Sequence, residues 1–167
     1  MAWFRAALVP VLVLMIGTWV GAAFAQELRD RTYILLNLAP RADDRGAEAE
    51  RRSIDLKVQF AVGLATLTDA AVEQLDALAA AITSESLVNQ RFMIAGHTDA
   101  TGADDLNLDL SFRRAQTVKA YLVTAHAIEP ARLSVVGYGE LRLKDPFDPA
   151  GAVNRRVEIV VLGALLR

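Results

Sequence analysis

The chain has 167 residues with 18 basic and 20 acidic side chains, a net charge of −2 and no cysteine. That length suits one ordinary domain. The balance of charge argues against nucleic acid as a partner, and the missing cysteines exclude disulfides, thiolate metal sites and a lipid on an N-terminal cysteine.

The first 25 residues read as an address. They carry one charge, Arg5, so the rest of the chain holds 17 basic against 20 acidic residues, a net −3. After Arg5 comes an apolar run to Val20, and Ala23-Phe24-Ala25 then gives a small-x-small pattern before Gln26. This is the layout of a secretory signal peptide. The alternative is an uncleaved anchor, since the run approaches the roughly 20 residues that span a bilayer. Either way the remainder is exported. In a two-membrane bacterium that means the periplasm, with association to the outer membrane or anchoring by the N-terminal helix both open. Residues 26–52 divide into a short apolar stretch, 33–38, which reads as a strand without an assigned role, and a charged run, 41–52, which reads as a solvated linker or frayed helix. The globular domain is expected over 53–162, with 163–167 as a tail.

Within that domain Ile54, Leu56, Val58 and Phe60 alternate with polar residues, the period of a half-buried strand. Thr68 offers an N-cap with Asp69 in the first turn. Leu67, Ala71, Leu75, Leu78 and Ile82 follow at helical spacing. Phe92–Ala95 reads as a buried strand stopping at Gly96, and a loop carries His97, Thr98, Asp99, Thr101 and Gly102. A second helix runs from about Asn107 to His126, with Asn107 or Ser111 as its cap and Leu108, Ser111, Ala115, Val118, Leu122 and Ala125 on one stripe. Pro130 prevents continuation. Leu133–Tyr138 and Val157–Leu162 read as the last two strands, separated by a loop rich in Pro, Gly and Asp. Three strands joined by crossover helices run parallel, and a fourth without a full helical crossover runs antiparallel. The expected fold is α/β: a two-layer α+β sandwich with a mixed four-stranded sheet and two main helices on one face.

The ligand-bearing loop of such a layer lies at a strand's carboxyl end. Asp99 sits there, and Arg114 sits one to two turns into the following helix, so an acid and a base face one place and suit the two charges of a zwitterion. Each residue also has a plainer use. Asp99 can close an Asx turn, Arg114 can pair with Asp104 or Asp109 on the surface, and Thr98 and Thr101 can brace the loop. His97 beside Asp99 invites a metal or general-base reading, but a single histidine in such a loop more commonly makes a structural bond. No nucleophile elbow or phosphate loop is present, so no enzyme, metal or cofactor is expected.

The motifs GHTDATG, then Asn107, Leu110, Ser111, Arg114 and Ala115 in the pattern N-x-x-L-S-x-x-R-A, then GYGE (Gly137–Glu140) and NRRVEI (Asn154–Ile159) resemble the OmpA-like domain. That domain is the peptidoglycan-binding module of outer-membrane protein A, peptidoglycan-associated lipoproteins and MotB-type stator proteins. The resemblance covers roughly residues 53–162. It implies non-covalent binding of peptidoglycan through the meso-diaminopimelate of its stem peptide. Asp99 would take the ammonium and Arg114 the carboxylate, with Asn107, Leu110, Thr98 and one of the two arginines at 155 and 156, provisionally Arg156, around them. A second reading is an envelope protein–protein interaction module on the same fold, reaching its partner through the N-terminal segment. A third, a wall-cleaving enzyme using His97 and Asp99 as an acid–base pair, is the least favoured.

Overall fold

The computed structural model describes residues 26, 29–40, 52–58, 60 and 63–164. The signal-like segment and most of the charged run lie outside them. The elements are helix α1 (residues 29–38), strand β1 (Ser53–Leu56), helix α2 (Asp69–Ile82), strand β2 (Gln90–His97), helix α3 (Asp104–His126), strand β3 (Leu133–Gly139) and strand β4 (Val157–Ala164). The sheet order is β1-β4-β2-β3. β2 and β3 are parallel, while β4 runs antiparallel to both β1 and β2. This is the expected mixed four-stranded α/β sheet with the two expected main helices, α2 and α3, and among the described residues α1 is added to them. Among the described residues no helix is long and apolar enough to cross a membrane.

Residues 33–38 form part of α1, not a strand. The apolar run Tyr-Ile-Leu-Leu-Asn-Leu is too short for its composition to separate the two states. What decides is a spacing of four: Ile34 and Leu38 are buried on one side, while Tyr33 and Leu36 are exposed. Asn37 Nδ2 donates to the Tyr33 carbonyl at 2.7 Å, and the Ala39 N–H to Leu35 at 2.8 Å. Ile34 and Leu38 join one core cluster with Ile54, Leu56, Leu75, Leu78, Ile94, Val118 and Ile159. The core thus draws on residues well before Ser53.

β1 is shorter than its alternating pattern. It ends at Leu56, and Phe60 instead forms an isolated antiparallel bridge with Leu67. α2 begins where expected: Thr68 Oγ1 accepts from the Ala71 N–H at 3.3 Å. Its far end is closed from outside the helix. Buried Arg132 donates Nη2 to the carbonyls of Ile82 and Leu87, both at 2.8 Å, and Nε to Gln90 at 3.0 Å. α3 starts one turn before the expected cap. Ala103 is its N-cap and supplies no side-chain bond, and Asp104 and Asp105 in the first turn suit the helix dipole instead. Of the expected stripe, Ser111, Ala115, Val118 and Leu122 are buried, whereas Leu108 is 44% exposed and Ala125 faces solvent.

Candidate functional site

The site stands at the carboxyl ends of β2 and β3, where the first turns of α3 cross the strands at backbone distance. A Cβ on Gly96 would lie 2.0 Å from the Ser111 carbonyl oxygen, and one on Gly137 would lie 2.5 Å from the Phe112 nitrogen. Gly139 has φ +54, open to glycine at little cost, and donates its N–H to Ser111 Oγ at 2.9 Å. Glycines in GHTD and GYGE and the small Ser111 are therefore what lets the helix start close to the strand ends. That closeness brings residues of α3 to the loop after β2.

Asn107 ties this loop down. Its Nδ2 donates to the carbonyls of Asp99 at 3.3 Å and Thr101 at 3.1 Å, and to Glu140 Oε2 at 2.8 Å. Thr98 is buried beneath the loop. Its N–H donates to the Gly139 carbonyl at 3.0 Å, and its hydroxyl has no hydrogen-bond partner among the described residues. Leu110 is half-buried.

Asp99 is buried, with 6% of its surface exposed. Oδ1 accepts from the Thr101 N–H at 3.1 Å, the Asx turn expected of it, and also from the Thr101 hydroxyl. Oδ2 points elsewhere and accepts from Arg155 Nη1 at 2.5 Å. Burial pushes the Asp99 carboxyl up, but the bonds from Thr101 and Arg155 together outweigh it and hold the group below its usual 3.8. Arg114 is 9% exposed. Its Nε donates to the Leu64 carbonyl at 3.1 Å, and its guanidinium carbon lies 4.9 Å over the Phe60 ring. Among the described residues no hydrogen bond engages its two terminal nitrogens. Burial, then the Arg155 charge, lower its pKa, and Asp99 pulls it back up. Asp99, Arg114 and Arg155 therefore share one electrostatic locality with a formal charge of +1.

The two arginines left open by the sequence diverge. Arg155 reaches Asp99. Arg156 donates Nε to Asp55 Oδ1 at 3.0 Å and Nη2 to the Arg142 carbonyl at 3.3 Å, on the β1 side and away from Asp99. Buried Asn154 holds the preceding loop through Lys144, Asp145, Asp148 and Pro149. Among the described residues, His97 makes no hydrogen bond through either ring nitrogen. It lies 3.4 Å from Glu158 Oε2 and packs on the Tyr138 ring at 5.4 Å. No group of three or more metal-ligating side chains occurs among the described residues.

Two clefts lie elsewhere. One of about 220 Å³ sits among α1, β1 and α2, and one of about 520 Å³ sits at the far end near Arg132. Neither is lined by Asp99, Arg114 or Arg155. A head group gripped at two charged points needs little depth. The buried carboxylate and the guanidinium nitrogens without a hydrogen bond among the described residues mark the site more firmly than cleft volume does.

Residues 59–158 match the family model described as OmpA family. The chain belongs to the OmpA family. Within it, the chain is 51% identical over 70 residues to outer membrane porin F of Pseudomonas fluorescens, a match spanning 41% of this chain and 21% of the porin. It is 40% identical over 72 residues to the peptidoglycan-associated lipoprotein of Pseudomonas aeruginosa, 42% of each chain. It is 42% identical over 73 residues to the peptidoglycan-binding protein ArfA of Mycobacterium bovis, 42% of this chain and 22% of that one. The chain thus spans less than half the length of these curated relatives. A solved MotB-like protein from Desulfovibrio vulgaris superposes with a TM-score of 0.61 at 28% identity, over 86% of this OmpA-family chain and 96% of that one. The periplasmic domain of Helicobacter pylori MotB shares the fold, with a TM-score of 0.58 at 18% identity over 71% and 86% of the two chains.

Proposed function

We propose that this OmpA-family protein is a non-enzymatic module of the cell envelope that binds peptidoglycan reversibly through the meso-diaminopimelate of the stem peptide. The observation that carries this reading is the pairing of a buried, ionised Asp99 with an Arg114 whose terminal nitrogens make no hydrogen bond among the described residues, in a fold whose relatives include proteins named for peptidoglycan. The free end of diaminopimelate bears an ammonium and a carboxylate on one carbon. Asp99 Oδ2 takes the ammonium, with Arg155 sharing that oxygen or giving it up. Arg114 takes the carboxylate through two parallel charge-assisted bonds, each roughly twice as strong as a neutral one. Leu110 and Phe60 supply the apolar rim. Asn107 and Thr98 act through the loop, because both are turned inward. The surplus positive charge suits a stem peptide that carries further carboxylates. A location in the periplasm, next to the wall, follows from this reading.

Retention on purified sacculi tests it. The wild-type protein is expected to sediment with sacculi. An Asp99→Ala, Arg114→Ala variant that stays folded is expected to remain in the supernatant, and full retention of that variant would end the proposal.

One observation favours a second reading, docking to another envelope protein. α1 exposes 57% of Tyr33 and 67% of Leu36 while its opposite side is built into the core. Deleting the segment would expose that core, so Tyr33→Ser with Leu36→Ser is the informative change. Loss of a co-purifying partner with wall binding intact would support it.

A further inference from the structure

We infer that Phe147 is a sugar-stacking platform that extends the site from the stem peptide to the glycan. This rests on the peptidoglycan reading above. Phe147 is 100% exposed, the only large apolar side chain among the described residues that is fully so. Single exposed apolar residues are ordinary; what distinguishes this one is how firmly its backbone is held. Asp145 Oδ1 accepts from the Phe147 N–H at 3.0 Å and the Asp148 N–H at 3.3 Å. Buried Asn154 takes the N–H groups of Lys144 and Asp145 and donates to the carbonyls of Asp148 and Pro149. Pro146 and Pro149 fix φ on either side and restrict the residues before them. The ring is therefore displayed by a pre-organised loop, which lowers the ordering cost of a contact.

The loop is also joined to the charged site. The Ala100 N–H donates to the Pro149 carbonyl at 2.9 Å, and Arg155, which holds Asp99, reaches the Ala150 carbonyl at 3.5 Å. Following the chain through the Ala100–Pro149 bond, the Phe147 and Asp99 backbones are at most roughly 15 Å apart. In the stem, diaminopimelate lies three residues from the muramyl sugar, about 10 Å when extended. A ligand with its head group on Asp99 and Arg114 thus brings a pyranose within reach of the phenyl ring. The C–H face of a pyranose is apolar and slightly positive, and it complements the negative face of an aromatic ring.

Calorimetric titration of three proteins with two ligands tests this. The proteins are the wild type, Phe147→Ala and Phe147→Trp. The ligands are a disaccharide–tripeptide containing diaminopimelate and the same tripeptide without sugar. Phe147→Ala is expected to bind the sugar-bearing ligand about three- to tenfold more weakly, the range of one aromatic stacking contact. It is expected to bind the bare tripeptide as the wild type does. Phe147→Trp is expected to keep full affinity for both. Unchanged affinity of Phe147→Ala for the disaccharide–tripeptide would overturn the inference and leave the diaminopimelate reading standing. An equal loss for both ligands would also overturn it, by showing that the ring supports the loop and not the sugar. If the wild type binds neither ligand, the underlying reading fails and this inference falls with it.

Discussion

Arg155 and Arg156 are neighbours in the chain and serve opposite sides of the sheet. Val157, Ile159 and Val161 point into the core beneath the helices, and Glu158 and Val160 point the other way. Extending that alternation back one step puts Arg155 on the helix side with Asp99, and Arg156 on the open side with Asp55. The signal is present in the sequence as a period of two, phased by Val157, the strand's first inward residue. On the open side Glu158 is held down to about 2. The causes are foremost the His97 imidazole, against an opposing effect of burial, with help from Ser53 and Arg156. The His97 contact is long for a hydrogen bond, at 3.4 Å. A carboxyl lowered on folding adds stability that is complete above its unfolded value of 4.5 and fades as pH falls towards 2. Thermal melts of Glu158→Gln are expected to show a loss of about 2 kcal/mol at pH 7, discounted for partial exposure. The gap to the wild type should close as pH falls from 4.5 to 2. A gap unchanged by pH would show that Glu158 acts by packing and not by charge. Asp99 is likewise held below 3.8, so wall binding is expected to persist through that pH and to be lost only at lower pH, as the carboxyl takes up a proton.

Among the elements, α1 and the start of α3 are the least legible in the sequence, for different reasons. α1 was hidden because its apolar run is short and the charged residues that complete the helix, Arg29, Asp30 and Arg31, looked like flanking sequence. Ile34 and Leu38 are nevertheless core residues at 2% and 0% exposure. Ile34→Ala is expected to cost about 2–4 kcal/mol in urea unfolding, the range for a buried large-to-small change. A change below about 0.5 kcal/mol would show that α1 is not part of the folding unit. The middle of the α3 stripe, Ser111 to Leu122, is buried as expected, whereas Leu108 and Ala125 are exposed and the helix starts one turn earlier than expected. Asn107 looks like a cap, and here it uses its side chain to fasten the loop to Glu140. Where α3 meets the sheet, packing leaves no room for a methyl group. Gly96→Ala would drive Cβ onto the Ser111 carbonyl at 2.0 Å, so the helix has to move. We expect a loss of about 3 kcal/mol or more, at or beyond the upper end of overpacking, together with weaker wall binding because Asp99 and Arg114 separate. Wild-type stability in Gly96→Ala would contradict this close crossing.

From β1 onward, the order of strands and helices and the single antiparallel strand are legible, since alternation, helical spacing and crossover length each act locally. What was not legible depends on contacts far apart in sequence. Arg132 closes α2 from 50 residues away, and Arg155 reaches Asp99 across 56. The charged pair itself could be named because its members stand close in sequence, in a loop and the helix that follows it. We propose that the domain holds one zwitterionic head group between a buried carboxylate and a buried guanidinium. Paired calorimetric titrations of the wild-type protein test that most directly. One ligand is the stem tripeptide ending in meso-diaminopimelate, and the other is the same peptide ending in lysine, which keeps an ammonium but lacks the carboxylate beside it. The account predicts that the lysine peptide binds at least about tenfold more weakly, the loss of one charge-assisted bidentate contact. Equal affinity for the two peptides would contradict it.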